Sequence, residues 1–139
     1  MSVAEPVVYD TNVWVSGLLW RGKPYQCVLL ARAGLLRVAY CQPMLAELTQ
    51  KLREKFNFSE NRIQAVVYQV QSVGEQVKIE GSLHVVADDP DDDKFVECAA
   101  VAGTSLIVSS DRHLLDLKEY RDIRVVTPAE FVEQMSKFE

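Results

Sequence analysis

The sequence predicts an α/β fold: one three-layer domain over residues 1–139, with a central, mostly parallel sheet of about five strands flanked by helices. Three observations carry that expectation. Short apolar runs alternate along the chain with longer stretches whose apolar residues recur at helical spacing. The short runs are apolar at successive positions, as in strands covered on both faces. Finally, 139 residues at 48% hydrophobic content are enough for one sizeable core and too few for two ordinary domains.

Val7-Val8-Tyr9 is the first strand, ending abruptly in the turn and cap chemistry of Asp10-Thr11-Asn12. Helical spacing runs from Val13 to Leu19 and stops at Arg21-Gly22-Lys23-Pro24. It restarts with Pro24 in a first turn and continues through Cys27, Leu29, Leu30 and Ala33 to a stop at Gly34. Leu36 to Cys41 reads as a second strand, and Pro43 opens a helix with the stripe Leu45, Leu48, Leu52 and Phe56. Ser59 caps a further helix in which Ile63, Val66, Val67 and Val70 repeat at the same period. Past Gly74 two segments compete for the third strand, Val77 to Ile79 and Leu83 to Val86, and the second is the one expected. The acidic run from Asp88 to Asp93 leads into a helix that is almost wholly apolar from Phe95 to Ala102. Leu106-Ile107-Val108 is a fourth strand, ending in Ser109-Ser110-Asp111. Ile123 to Val126 is a fifth, followed by Thr127 as cap and Pro128 at the first helical position.

Composition excludes several classes. No apolar run approaches the ~20 residues that cross a bilayer, so no membrane association is expected. The N-terminus Met1-Ser2-Val3-Ala4-Glu5-Pro6 has neither the basic nor the apolar region of a signal peptide, and a cytoplasmic location is expected. Cys27, Cys41 and Cys98 are an odd number at wide spacings, which suits reduced, buried thiols. His84 and His113 lie near no cysteine, which argues against a structural zinc site. A formal charge of −5 argues against binding nucleic acid through a basic surface. That inference weakens if several carboxylates belong to a metal site, because bound divalent ions reverse the local field.

The chemistry lies in where the acids fall. Two predicted strands end alike, one in Asp10 and the other in Asp111, so both carboxylates point into one crevice at the carboxyl ends of the strands. Each is also explained as an ordinary helix cap, since helix dipoles and free amides tolerate negative charge there. Asp93 and Glu97 fall with Val96 and Ala100 on one side of the apolar helix. Desolvated acids need a partner or a metal, and no Lys or Arg occurs between Phe95 and Ser110 to pair with them. The competing account of the Asp88–Asp93 run is a solvated helix start, and the register of the run is open. Glu47 lies off the Leu45, Leu48, Leu52 stripe, and pattern alone makes it a surface residue.

With those residues in view the chain resembles the PIN-domain nucleases and is similar to the toxin ribonucleases of bacterial and archaeal toxin–antitoxin pairs. The motifs that carry the resemblance span most of the chain. They are Val7-Val8-Tyr9-Asp10-Thr11-Asn12, Glu47 in the helix after the second strand, Asp93-Lys94-Phe95-Val96-Glu97-Cys98-Ala99-Ala100, and Ile107-Val108-Ser109-Ser110-Asp111 with the following Arg112-His113-Leu114-Leu115. Each is short; their order and spacing together are more specific. The resemblance implies that Asp10, Glu47, Asp93 and Asp111 are catalytic and hold Mg²⁺ or Mn²⁺. It implies support from Asn12 and Ser109, with Glu97 as an extra or water-mediated ligand. It raises Glu47 from surface residue to ligand, and nothing else does. It also implies in-line hydrolysis of RNA, a homodimer, and an antitoxin protein as partner. Hard divalent ions favour such oxygen donors.

Cations near this crevice would track phosphates, and Arg21, Lys23, Lys51, Arg53, Lys55 and Arg112 are the candidates. Trp14, Leu18, Leu19 and Trp20 are candidates for an interface, with a plain core role as the alternative. Two other function classes are weighed. A Mg²⁺-dependent phosphoacceptor domain wants paired acids after the first strand and a lysine after a late one, where this chain has Asp10-Thr11-Asn12 and serines. A haloacid-dehalogenase-like phosphatase likewise wants a second aspartate where Asn12 stands. A non-catalytic PIN-fold scaffold is disfavoured because all four matched acids are present.

Overall fold

In the computed structural model, which describes residues 6–87 and 89–137, β1 (Val8–Tyr9) lies at the centre of the sheet. The N-terminal residues 1–5 and Asp88, on which part of the sequence reading rests, lie outside the described residues. β1 pairs in parallel with β4 (Leu106–Val108), and β4 pairs in parallel with β6 (Ile123–Val126). The two-residue β5 (Glu119–Tyr120) adds an antiparallel edge to β6. On the other side β2 (Val38–Tyr40) pairs in parallel with β3 (Gly74–Gln76). A parallel bridge from Val7 to Val38, with Val7 N donating to Arg37 O (2.9 Å) and Ala39 N to Val7 O (2.8 Å), joins the two halves. The spatial order is therefore β3-β2-β1-β4-β6-β5, mostly parallel as expected.

Consecutive side chains on a strand point to opposite faces. Val8 and Tyr9 are both buried, as are all three residues of β2 and of β4, so helices cover both faces of the sheet. These helices are α1 (Thr11–Leu19), α2 (Lys23–Arg32), α3 (Gln42–Glu54), α4 (Glu60–Val73), α5 (Asp93–Ala102), α6 (Arg112–Leu117) and α7 (Pro128–Ser136). α5 packs against β1, β2, β4 and β6 and buries Phe95, Val96, Cys98 and Ala99. Burying a Phe or Val side chain contributes about 1.5–3 kcal/mol, so this one helix anchors much of the core. α1 and α2 meet closely at Gly17, where a Cβ would stand 2.5 Å from Val28 Cγ2 and 2.8 Å from Pro24 O. Tyr9 fills the space between layers, edge-on to Phe131 at 6.0 Å, with its hydroxyl donating to Cys27 O at 2.9 Å.

Local chemistry starts the helices where the sequence places them. Ser59 Oγ accepts from Arg62 N, and Thr127 forms a reciprocal capping box with Glu130. Leu45, Leu48 and Leu52 of α3 are buried, as are Ile63, Val66 and Val70 of α4. All three cysteines are buried and unbridged. Of the residues named for an interface, Trp14 is core, Leu18 and Leu19 are partly buried against it, and Trp20 is exposed. No helix among the described residues is long and apolar enough to cross a membrane.

One strand is corrected. The third strand is Gly74–Gln76, with Val77 N extending it to Tyr40 O at 2.8 Å, and Leu83–Val86 is not a strand. β3 is an exposed edge whose Glu75 and Gln76 give no apolar signal, and Arg37 pairs with Glu75 beside it at 2.9 Å. Glycine is needed at its start, since a Cβ at Gly74 would stand 2.8 Å from both Tyr40 Cδ1 and Val70 O. The amides of Leu83, Val85 and Val86 instead donate to carboxylates of α5.

Candidate metal centre

The chain leaves β1 toward β2 and β3 and returns through β4 on the other side of β1, so these two neighbours form a topological switch point. Tyr9 is in register with Val108, which sets Asp10 and Ser109 side by side, with Asp10 N donating to Val108 O at 3.0 Å. Asp10 caps α1: its Oδ1 accepts from Val13 N at 2.8 Å, and its Oδ2 accepts a short hydrogen bond from Ser109 Oγ. The same hydroxyl oxygen accepts from Asp111 N at 2.9 Å, so Ser109 ties the two acids together. Asp111 caps α6 through Oδ1, which accepts from His113 N at 2.8 Å. The cap reading of both acids is therefore true; Asp111 lines the crevice, and Asp10, buried with both oxygens hydrogen-bonded, is tied to it through Ser109.

The third acid there is Asp92. Asp89 Oδ1 accepts from Asp91 N at 3.2 Å and starts a 3-10 turn over Pro90–Asp92, which brings Asp92 to the N-cap of α5. Unlike the other two caps, Asp92 makes no side-chain capping bond, and its buried Oδ2 has no hydrogen-bond donor. Asp89, Asp92, Asp111 and His113 each offer a ligand atom within 4.8 Å of the others. These acids, with Asp91, form one side of a cleft of about 370 Å³. Glu47, Gln50, Lys51, Glu54 and Lys55 of α3 form the other.

Burial pushes the Asp10 carboxyl up to about 6; the Ser109 and Val13 hydrogen bonds oppose this, and the Asp111 charge adds to it. Burial also pushes Asp92 up to about 7, reinforced by the charges of Asp111, Asp89 and Asp10. Asp111 is within reach of Asp92, and a protonated Asp92 can donate to it, which adds to the upward push. Burial, clustering and an unpartnered oxygen together fit a hard divalent cation, which would supply the missing positive charge.

Glu47 stands on the cleft wall, half-buried, with Lys94 Nζ 2.7 Å from Oε2 and Lys51 Nζ 4.0 Å from Oε1. Asn12 Oδ1 accepts from Lys51 Nζ at 3.1 Å and so links α1 to α3. Of the cations proposed for phosphate tracking, Lys51 and Lys55 line the cleft. Arg53 is paired with Glu60, Arg112 with Asp116, and Arg21 lies over the Tyr25 ring.

Asp93 and Glu97 are not brought to this cluster. Asp93 Oδ1 accepts from Val85 N at 2.8 Å and Val86 N at 2.7 Å. Glu97 accepts from Glu80 N at 2.8 Å, Gly81 N at 3.0 Å and Leu83 N at 3.2 Å. Burial favours the neutral form of Glu97, but the amides of Leu83, Glu80, Gly81 and Ser82 outweigh it and hold the carboxyl low. The expectation that buried acids on this helix need compensation is met by backbone amides. Asp92 and Asp89 of the cleft, His113 beside them and Lys94 paired with Glu47 are not among the site residues expected from sequence. The available signal was Asp89-Pro90, a turn start that makes Asp92 the residue before a helix, the same place that Asp10 and Asp111 occupy.

Comparison with known proteins identifies the family and the fold. The PIN domain family model matches residues 6–113, which span β1, α3, the start of α5 and Asp111. An uncharacterized protein of Methanocaldococcus jannaschii is 30% identical over 147 aligned residues, covering 95% of this chain and 92% of its own length. A chain in the crystal structure of VapBC2 from Rickettsia felis bound to a DNA fragment from their promoter matches with a TM-score of 0.59 at 14% identity. That match covers 87% of this chain and 97% of the other, and at such identity it is a likeness of fold. Acids gathered at the switch point of a mostly parallel sheet, under a family match that spans most of the sequence, make this chain a member of the PIN domain family.

Proposed function

We propose that residues 1–139 form one nuclease domain that hydrolyses RNA phosphodiesters with a divalent cation, Mg²⁺ or Mn²⁺, as the toxin of a toxin–antitoxin pair. The observation that carries the reading is the convergence of Asp89, Asp92 and Asp111 at a buried, unpartnered Asp92 oxygen, with Asp10 near enough for its charge to act on Asp92. Asp10, Asp92 and Asp111 would hold the ion, with Glu47 facing them across the cleft. Asp92 replaces Asp93 in the set expected from sequence, and Glu97 leaves it. When bound, the ion supplies positive charge to the scissile phosphate and makes water more acidic.

The chain's own residues do the rest. Ser109 Oγ holds the Asp10 carboxylate and the Asp111 backbone, and His113 N fixes the Asp111 carboxylate, so neither acid is free to rotate. Lys94 neutralises Glu47 and keeps it from repelling the opposite acids. Lys51 and Lys55 offer ammonium groups to phosphates on either side of the reacting one, which lets an acidic chain bind a polyanion locally. The antitoxin partner and the homodimer belong to the same proposal and rest on the family likeness, and the cytoplasmic location rests on the sequence expectation.

The test is cleavage of single-stranded RNA by purified protein in Mg²⁺, in Mn²⁺ and in EDTA. Cleavage is expected with either metal and none in EDTA, and Asp92→Asn should lower it by about 10²–10³-fold. Full metal-dependent cleavage by Asp92→Asn would overturn the site assignment.

A further inference from the structure

His113 lies outside the ligand set proposed above. Its Nδ1 stands 3.5 Å from Asp89 Oδ2 and 3.8 Å from Asp111 Oδ1. Both separations are too long for good hydrogen bonds, so the ring faces two carboxylate oxygens without being bonded to either. They fall within the span of donors that share one ion. Two donors of one octahedral ion, each bound at about 2.1 Å, lie about 3.0 Å apart when adjacent and about 4.2 Å apart when opposite. Asp89 is set up to take part, because Oδ1 is turned back to Asp91 N and Oδ2 is left toward the ring. Asp111 is held in place through its bond from His113 N, so backbone and side chain of His113 address the same carboxylate. The independent sign that a cation belongs here is Asp92 Oδ2, which is buried with no partner in a residue 7% exposed and whose carboxylate is part of the same cluster.

We infer that His113 Nδ1 and Asp89 form, with Asp111 and Asp92, a mixed nitrogen and oxygen metal subsite at the rim of the cleft that favours a first-row transition dication such as Mn²⁺ over Mg²⁺. The chemistry follows from the donors. An imidazole nitrogen binds first-row transition dications and is a poor ligand for Mg²⁺, and Mn²⁺ is the one among them that the carboxylates here also suit, whereas an all-oxygen set does not discriminate against Mg²⁺. The inference rests on the proposal that this acidic cluster binds a divalent ion, and it adds which residue gives the site its preference.

The experiment is metal binding without RNA. Mn²⁺ is titrated into metal-free protein at fixed neutral pH, and bound Mn²⁺ is examined by pulsed electron paramagnetic resonance for modulation from a coordinated imidazole nitrogen. Competition with Mg²⁺ follows. The wild-type protein should show the nitrogen modulation. His113→Ala should lose it and bind Mn²⁺ about ten-fold more weakly, with Mg²⁺ affinity changed less than about two-fold. Asp89→Asn should weaken Mn²⁺ while leaving the modulation in the remaining bound fraction. Circular dichroism melts control for folding, and His113 is half-exposed enough to be replaced without opening the core. If Mn²⁺ binds but no nitrogen modulation is seen, or if His113→Ala keeps the Mn²⁺ preference, the subsite is wrong and the metal centre stands. If wild-type protein binds no Mn²⁺ at all, both fall.

Discussion

Asp92 and Asp93 are neighbours in the chain and equally buried, each 7% exposed, yet they face opposite problems. Asp93 turns to the loop before it and receives two backbone amides. Asp92 turns to the cleft, meets Asp89, Asp111 and Asp10, and is left with an oxygen that nothing donates to. Burial of a carboxylate therefore does not identify a site. The inventory of its partners does: a satisfied buried acid is part of the scaffold, while an unsatisfied one among other acids calls for a cation.

Substituting each in turn should separate the two roles. The largest effect is expected for Asp92→Asn, which should lower metal-dependent RNA cleavage by about 10²–10³-fold, as loss of a transition-state electrostatic group does. The same change should raise the melting temperature of metal-free protein, since it removes one of the mutually repelling charges. Asp93→Ala should do the reverse. With two amides left unpaired it should destabilise the fold by about 2–3 kcal/mol in denaturant melts, and cleavage per folded molecule should stay within a few-fold of wild type. Loss of cleavage by folded Asp93→Ala would erase the distinction.

The pH dependence of stability sharpens the same contrast. Asp10 and Asp92 have folded values raised to about 6 and about 7, above the ~3.9 of an unfolded aspartate. Their neutral forms favour the fold, so their contribution is fully present below about pH 4 and is lost as pH rises through 6 to 7. Glu97 is lowered by its amides, so its contribution is present above the unfolded glutamate value and is lost as pH falls through its lowered folded value. Metal-free protein should thus melt lower at pH 8 than at pH 5.5, and Mn²⁺ should recover the lost stability at pH 8. Asp92→Asn should flatten the slope, and an unchanged slope in that variant would place the titrating group elsewhere.

The smallest effect concerns the cleft wall. Lys51→Ala should weaken RNA binding in Ca²⁺ across sequences and reduce its salt slope by about one, whereas Arg53→Ala, whose partner is Glu60, should leave the slope alone. Equal slopes for the two variants would remove Lys51 from the phosphate path.

What could be read in advance was whatever depends on near neighbours in the chain. The apolar runs at Val7–Tyr9 and Leu106–Val108, the caps at Asp10, Ser59, Asp111 and Thr127, and the buried stripe of α3 are all set by residues within a few positions, and all are found in the fold. Asp10 and Asp111 were legible as a pair for that reason: each ends a strand and begins a helix. Glu47 was not, because its place on the cleft wall depends on how α3 packs beside α5 and on Lys94 reaching across.

Only the tertiary structure decided which acid of the run before α5 enters the cleft. A one-residue shift there exchanges a cleft-facing carboxylate for an amide-bound one, and the local pattern accommodates both. The choice is made by the segment from Glu80 to Val86, whose amides need acceptors once it is packed against α5 and find them in Asp93 and Glu97. That same demand keeps Leu83–Val86 out of the sheet and leaves the edge to Gly74–Gln76, which is extended by pairing with β2 and not by any apolar signal of its own. Sequence determined that strand-end acids would meet at the centre of a parallel sheet; hydrogen-bond accounting across distant segments determined which of the remaining acids would join them.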